Sequence, residues 1–499
     1  MADHEKDEDA FAGEWDIPSH EHSSLSSLLF LLARHSSPVA EAYRGRLHRI
    51  PELRWEETKT LALIEKALLH VRAESTAKHN DERYATMTEP VRCKGGMYVD
   101  IASVSPVTGR ADPCLPRLLL RADVDGLPVE EPAGNPGRST HPRKMHACGH
   151  DMHAAMLLTF VRVVMMWLPE KVIELLPEDA PPPFPTALPV NLRCVFQRAE
   201  ENPVTPSGGY VLVNEDGVLE GVDEVYGLHV WAGLPAGHFY SNPSALMANS
   251  DRLRVRISCC GGHASAPHGT RNPIDVAADV VAGLRGFDAR TLGPMEPSAL
   301  VPTISSSGSA SNVIPERAEL WFGVRNFLPR GRREEWNGQL CQQVTELARP
   351  SPSGSPAATS IEATVIKGHP ATINNASRVA AVCAALAEFV PHFESAPLLG
   401  PEMAAREKER GLKIDGNARP VLGGEDFSHY LNARPGAFFF LGAHTPGGGD
   451  HHAPSFDPDA SVLWRGVMFW LAVAYGVVDD LEGAGGGGEK GGGGKRAKR

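Results

Sequence analysis

Apolar residues recur along this chain with two different periods, and the order of the two predicts an α/β protein. Residues 25–47 and 58–71 repeat apolar positions at three- and four-residue spacing, the pattern of helices with one buried face. A break is expected before Pro38, because its ring and missing N–H end a helix. Residues 117–120 and 190–196 are short, nearly unbroken apolar runs of the kind that form strands buried on both faces. Alternation of such helices and strands favours a mostly parallel sheet. The proline-rich stretch 181–189 reads as a surface insertion between a helix and the next strand.

From about residue 251 the order changes. Strand 253–258, helix 273–284, strands 300–305 and 316–327, helix 333–348 and strand 360–366 give a β-α-β-β-α-β run, the split βαβ motif, long enough to be its own domain. α/β patterning then resumes with helix 376–389, strand 437–441 and helix 461–477. The expected architecture is therefore two-domain α/β. A catalytic domain with a central, mostly parallel sheet comes in two segments, 23–248 and 368–480, around an inserted ferredoxin-like domain at 249–367. An acidic leader (1–22) and a glycine-rich basic tail (481–499) lack periodic apolar positions and are expected to be disordered. The tail ends Lys495-Arg496-Ala497-Lys498-Arg499, which fits a solvated end as well as a nuclear address.

At 499 residues the chain exceeds what one core supports. A formal charge of −12 argues against nucleic-acid binding and leaves small molecules as the favoured partners. No apolar run approaches the roughly 20 residues of a membrane span, and the acidic N-terminus is unlike a signal peptide, so a cytoplasmic protein is expected. The eight cysteines are scattered without the spacing of a disulfide scaffold and are expected to be free thiols. Cys148 is set apart by its neighbours.

Those neighbours carry the chemistry. Residues 145–153, Met-His-Ala-Cys-Gly-His-Asp-Met-His, hold one thiol, three imidazoles and a carboxylate. Cys148 and His150 can face one point around Gly149, and thiolate and imidazole are ligands for Zn²⁺ or a similar transition metal. Further clusters follow apparent strand ends, where α/β folds place their sites: Arg121 to Pro128 with Asp123 and Asp125, the Glu200-Glu201 pair, Gly227-Leu228-His229, Gly424-Glu425-Asp426 and Asp450-His451-His452. Adjacent carboxylates repel unless a cation or a shared proton relieves them. Singly, each cluster also fits an acidic turn or a core histidine.

Together, in this order, they resemble the M20 metallopeptidase and amidohydrolase family, in the branch of hippurate hydrolases, N-acyl-amino-acid amidohydrolases and auxin-conjugate hydrolases. The resemblance runs from about Tyr43 to Gly476. It also covers His48 with Pro51-Glu52-Leu53, Gly217 with Glu220 to Asp223, Gly261-Gly262-His263-Ala264, Asn312-Val313-Ile314-Pro315 and His452-Ala453-Pro454. The resemblance implies Cys148, His150, Glu201, His229 and His452 as ligands of two divalent metal ions per subunit, with Cys148 bridging. Zn or Mn is the expected metal, and Co or Ni would also suit the donors.

Glu200 would be the general base that activates a water for attack on an amide carbonyl and passes the proton to the departing amine. His263 would reach the site from the inserted domain, which serves as lid and as the surface of a possible homodimer. Asn312 and Arg325 would contact the substrate, Arg325 through a carboxylate. Asp123, Asp125, Asp151 and Glu425 would orient the ligating imidazoles and the backbone around them. His146 and His153 read as bystanders, and His451 competes with His452.

The sequence departs from the family where Glu201 is followed by Asn202-Pro203-Val204-Thr205-Pro206 instead of a glycine-rich run, and in the vicinal Cys259-Cys260. Three other functions remain open at this point. They are a catalytically inactive relative that binds metal or metabolite, a metallo-carboxypeptidase or dipeptidase, and a cysteine hydrolase built on Cys148, which would leave Glu200, Glu201, His229 and His452 without a role.

Overall fold

The computed structural model describes residues 24–78, 84–105, 108–134, 137–169, 187–202, 206–349, 360–394 and 401–477. The acidic leader, the basic tail and residues 181–186 of the proline-rich stretch lie outside these.

Helices α1 (Leu25–His35), α2 (Ser37–His48) and α3 (Thr58–Lys78) come first. Ser24 caps α1 by accepting the Ser27 N–H, and Pro38 sits in the first turn of α2, where its missing N–H costs nothing. Strands β1 (Ala85–Met87), β2 (Val91–Cys93), β3 (Gly96–Ser103) and β4 (Arg117–Asp123) follow, then α4 (His150–Arg162), β5 (Asn191–Gln197), α5 (Gly208–Asn214), β6 (Glu224–Trp231) and β7 (Phe239–Tyr240).

Next the chain builds a second sheet from β8 (Asp251–Ser258), β9 (Ser298–Ser307), β10 (Arg317–Asn326) and β11 (Ser360–Ile366), with α6 (Pro273–Leu284) between β8 and β9 and α7 (Arg330–Leu347) between β10 and β11. Helix α8 (Ala376–Ala387), β12 (Ile414–Asp415), β13 (Gly436–Gly442) and α9 (Leu463–Gly476) return to the first sheet.

The first sheet has nine strands in the order β1-β3-β5-β4-β6-β13-β7-β12, with β2 beside β3. Its centre, β5-β4-β6-β13, is parallel throughout. Every residue of β5 and β13 is buried, as expected of strands covered on both faces. Helix α4 packs on β4 and β6 and is itself covered by α2 and α9. It is buried all round, and beyond its first turn its sequence is apolar on every face apart from Thr159 and the terminal Arg162. The opposite face is filled by Leu212, Phe427, Tyr430 and Tyr240. The molecule is thus a mixed α/β protein with a mainly parallel central sheet.

Among the described residues one helical stretch, 376–393, has the length and mean hydropathy, 1.2, of a membrane span. It is partly buried, and its helix α8 lies against α9 and β13.

The second sheet is antiparallel, in the order β9-β10-β8-β11. Period-two alternation sends Leu253, Val255, Ile257, Leu320, Phe322 and Val324 into one core with Val276 and Val280 of α6 and Leu340 and Val344 of α7. The alternate residues, Arg252, Arg254, Arg256, Trp321 and Arg325, are left on the other face.

Candidate metal centre

The C-terminal ends of the parallel strands bring the acidic and imidazole clusters to one edge of the sheet, the position that α/β folds use for sites. β4 ends on Asp123, with Asp125 in the turn beyond it, and β6 carries His229 near its end. Cys148 and His150 flank Gly149, which caps α4 at φ 86°. A Cβ there would lie 2.4 Å from Val230 Cγ2, so both the backbone angle and the space require glycine between the two residues.

The turn after β5 carries Glu200 and Glu201 and is held open by Glu57. Glu57 Oε1 accepts the Ala199 N–H at 2.8 Å and Oε2 accepts Arg198 Nε at 2.9 Å, while Ala199 sits at φ 51°, rare for a residue with a side chain. The loop after β13 supplies His451 and His452.

Within the centre, Cys148 Sγ lies 3.5 Å from His229 Nε2. His150 Nδ1 bonds Asp125 Oδ1 at 3.0 Å, which leaves Nε2 buried with no hydrogen-bond partner and aimed into the cluster. Asp125 Oδ2 accepts the Glu201 N–H at 2.9 Å. Glu201 Oε1 is 3.0 Å from His452 Nε2. Three sets of donor atoms, each set mutually within 4.8 Å, overlap here: Cys148 with His150 and His229, Cys148 with Glu201 and His452, and His150 with Glu200 and Glu201.

His153 also borders the cluster but has both nitrogens engaged. Nε2 accepts the Val230 N–H at 2.8 Å, so Nδ1 carries the hydrogen bonded to Asp123 Oδ1 at 2.5 Å. His451 is similarly committed, since its Nε2 accepts the Ala232 N–H at 3.1 Å. His146 is buried with no hydrogen-bond partner for either nitrogen, and burial pushes it down to about 4.

Of two expected supporting residues, one faces elsewhere and one stays beside the cluster. Asp151 Oδ2 accepts His48 Nδ1 at 2.8 Å and Arg44 Nε at 3.2 Å, and thereby anchors α4 to α2 without touching an imidazole of the cluster. Glu425 lies 3.1 Å from Arg121 Nη2 and accepts the Phe427 N–H at 2.9 Å. Both were expected to orient ligating imidazoles and the backbone around them: Asp151 is drawn to Arg44 and to an imidazole outside the cluster, whereas Glu425 holds backbone and lines the cleft in one donor set with Glu200 and Asp426. Asp123 lies beside the cluster, its Oδ2 3.6 Å from His150 Nε2.

Electrostatics mark the cluster as short of positive charge. Burial alone would lower His150, yet Asp123, Asp125 and Glu201 outweigh it and hold the imidazole up at about 10. Burial and then the Glu425 and Glu201 charges push Glu200 well up, and burial with Glu201 and Glu200 does the same to the Cys148 thiol. A thiol placed this way is a poor nucleophile on its own. The orphaned His150 Nε2 and the Cys, His and Glu donor set fit divalent transition-metal ions.

A cleft of about 770 Å³ runs from the cluster to the open face of the second sheet. Arg325 lines it. So do Trp231, two residues past His229, and Met247, Trp321, Arg252 and His369, the last four of which no chemical motif marks in the sequence. His263 and Asn312 are exposed at the two-stranded antiparallel ladder formed by residues 262–263 and 313–314 and do not line the cleft of their own chain.

A mainly parallel α/β sheet whose C-terminal edge gathers carboxylates, imidazoles and a thiol into a cleft is the arrangement of a hydrolase with a candidate metal centre. Residues 119–475 match the model of peptidase family M20/M25/M40, and the chain belongs to that family. It is 30% identical over 474 residues to the N-acetyl-L-cysteine deacetylase of Bacillus subtilis, across 93% of this chain and 96% of that one. It is 29% identical to an IAA-amino acid hydrolase of Arabidopsis thaliana, across 86% and 85% of the two chains. A crystal structure from Bacillus subtilis, described as a dinuclear metal-binding peptidase of the M20 family, superposes with a TM-score of 0.64 at 24% identity over 89% of this chain and 99% of that one. The protein is an enzyme, a hydrolase acting on amide bonds.

Proposed function

We propose that this enzyme is a two-metal amidohydrolase that cleaves N-acyl amino acids or amino-acid conjugates. The observation that carries the reading is the overlap of the donor sets at Cys148, which belongs both to the set with His150 and His229 and to the set with Glu201 and His452. A thiolate shared in this way suits a bridge between two cations, and Zn or Mn, with Co or Ni as further fits, matches the mixed donors. His452 is preferred over His451 because His451 Nε2 is already spent on the Ala232 N–H. When bound, the cations supply positive charge to polarise the amide carbonyl and acidify the attacking water.

Glu200 takes the proton from that water and delivers it to the departing amine, a cycle that suits a carboxylate lifted above its usual range. Asp125 fixes His150 through Nδ1, and Asp123 is the second carboxylate at that imidazole. Arg325 binds a substrate carboxylate in the cleft.

The division into a catalytic domain (23–248 with 368–480) and an inserted lid and dimerisation domain of ferredoxin-like type (249–367) accompanies this reading. His263 and Asn312 are exposed and outside the lining of their own chain's cleft, which supports closure of the inserted domain, or its contribution across a homodimer, as the route by which both reach substrate. A cytoplasmic enzyme acting on small molecules is the corresponding setting.

The test is metal stoichiometry of the purified protein together with assays on a panel of N-acyl amino acids, before and after chelation and with Glu200→Gln. Two metals per chain, loss of turnover on chelation and its return with Zn²⁺ or Mn²⁺ are expected. Full activity after chelation would sink the metal mechanism, and full activity of Glu200→Gln would sink the base assignment. Metal binding without turnover of any substrate would favour an inactive relative.

A further inference from the structure

The two stretches of chain that join the sheets run side by side, and one of them adds an imidazole to the lining of the cleft. His369 lies where the chain returns from β11 to the first sheet, and Ser250 lies where it leaves for β8. The Ser250 N–H donates to His369 O at 3.0 Å and the His369 N–H donates to Ser250 Oγ at 2.9 Å, so the backbone of His369 is fixed at both of its polar groups. His369 lines the cleft together with Glu200, Glu201 and Arg325 and is 6% exposed.

Nδ1 of this ring is buried with no hydrogen-bond partner among the described residues. The ring also bonds the backbone of Asn202, the residue after the Glu200-Glu201 pair, and with Nδ1 unpartnered that bond runs from Nε2. The bond favours the protonated form, as expected of an N–H donating to a carbonyl, but burial outweighs it and pushes the imidazole down, which keeps the ring neutral. A neutral ring whose Nε2 carries the hydrogen leaves Nδ1 as a bare acceptor. Buried and unmatched, such an acceptor costs free energy until a donor reaches it.

An unmatched donor lies close by. Arg325 Nη1 is likewise buried with no hydrogen-bond partner among the described residues. Gly424 shows how near the two groups are. A Cβ there would lie 2.8 Å from Ser250 Cβ and 3.1 Å from Arg325 Nη1, so the guanidinium and the serine to which His369 is bonded meet over one glycine. Asp251, the carboxylate that attracts Arg325, is already bound by Arg333 through two nitrogens, by Asn337 Nδ2 at 2.9 Å and by the Gly368 N–H at 2.9 Å. A cleft that presents an acceptor beside a cationic donor is matched by a ligand carrying a donor beside an anion.

We propose that His369 is a binding residue for the scissile amide: its Nδ1 accepts the amide N–H while Arg325 holds the adjacent carboxylate. This rests on the amidohydrolase reading above and deepens it. In an N-acyl amino acid the amide N–H is the donor that stands next to the carboxylate whatever the side chain. Holding it fixes the nitrogen and leaves the lone pair, released as the carbonyl carbon becomes tetrahedral, free for the proton that Glu200 delivers. The imidazole itself neither gains nor loses a proton. An ester, with oxygen in place of the N–H, or a tertiary amide leaves Nδ1 unmatched and is disfavoured.

The test pairs amides with esters that differ by that one group, N-acetyl-L-alanine against O-acetyl-L-lactate and N-benzoylglycine against O-benzoylglycolate, on the metal-loaded enzyme. His369→Leu should lower the amide-to-ester ratio of kcat/KM by at least about tenfold. His369→Asn, whose Oδ1 takes the place of Nδ1, should stay within about threefold of the wild-type ratio, which separates loss of the acceptor from a folding defect. Calorimetric binding of N-acetyl-L-alanine and of N-acetyl-N-methyl-L-alanine to Glu200→Gln reads the contact without turnover. It should favour the first compound, and adding His369→Leu should remove the preference. A ratio that His369→Leu leaves unchanged, or that falls equally in the two His369 variants, overturns the proposal while leaving the amidohydrolase reading intact. Turnover of neither amide nor of any other N-acyl amino acid overturns both.

Discussion

His452 Nε2 stands 3.0 Å from Glu201 Oε1, while the His452 backbone N–H is tied to Ala147 O at 2.8 Å. The loop after β13 is thereby fastened to the Cys148 turn, and His452 takes up φ 67°, a strained angle for a residue with a side chain. His451, its neighbour, spends Nε2 on the Ala232 N–H.

From this difference, His452→Gln is expected to lose bound metal and to lower kcat/KM by more than about 100-fold, because a ligand has gone. His451→Gln should cost less than about tenfold, since a glutamine oxygen can still accept the Ala232 N–H. Metal analysis and steady-state kinetics on the two variants decide the matter. Equal metal loss in both would return the assignment to an open choice.

Arg121 is 1% exposed and bonds Asp123 Oδ2 and Asp426 Oδ1, each at 2.7 Å, with Glu425 at 3.1 Å and Gln197 Oε1 at 3.0 Å. One cation thus offsets three carboxylates in a dry interior. Removing it strands those charges, so Arg121→Met should destabilise the fold by about 3–5 kcal/mol, measured by urea unfolding. A cost below about 1 kcal/mol would mean that the cluster protonates instead.

The central strands were legible because their signal is local. Residues 117–120 and 190–196 are apolar runs bounded by polar turns, and they form β4 and β5. Residues 123, 125, 200 and 201 could be read as strand-end clusters for the same reason. What was not legible depends on partners far away in sequence. Asp151 next to His150 looks like support for it, and only the packing of α2 on α4 reveals that His48 and Arg44 claim its carboxylate. Trp231 and Trp321 meet in one cleft only once the second sheet faces the first, and no spacing along the chain encodes that.

Metal removal should be visible in stability as well as in turnover. Ligands that bind only the folded state add roughly 2.7 kcal/mol at a concentration 100 times Kd. Chelation should therefore lower the melting temperature by several degrees, and Zn²⁺ or Mn²⁺ should restore it. In Cys148→Ser the chelator should shift the melting temperature much less, because the donor shared by two sets is changed. An equal shift in the variant would place the stabilising metal elsewhere.

The last expectation concerns acid. His429 Nε2 is buried with no hydrogen-bond partner, beside Tyr210 and His369 at ring separations of 5.4 and 5.8 Å. Burial pushes its imidazole down to about 4, and the attraction of Asp426 only partly opposes that. In the unfolded chain the same group titrates near about 6.5. Below that pH the unfolded state takes up a proton that the folded state refuses, so stability is full above about 7 and falls as the pH drops towards 4. The loss amounts to roughly 2–3 kcal/mol at the acid end. His429→Phe keeps the ring packing and removes the titrating nitrogen, so its stability should fall less steeply across that window, by up to about one proton in the slope. Urea unfolding at several pH values between 4 and 8 measures this directly. Parallel curves for wild type and variant would mean that His429 gains its proton without opening the fold.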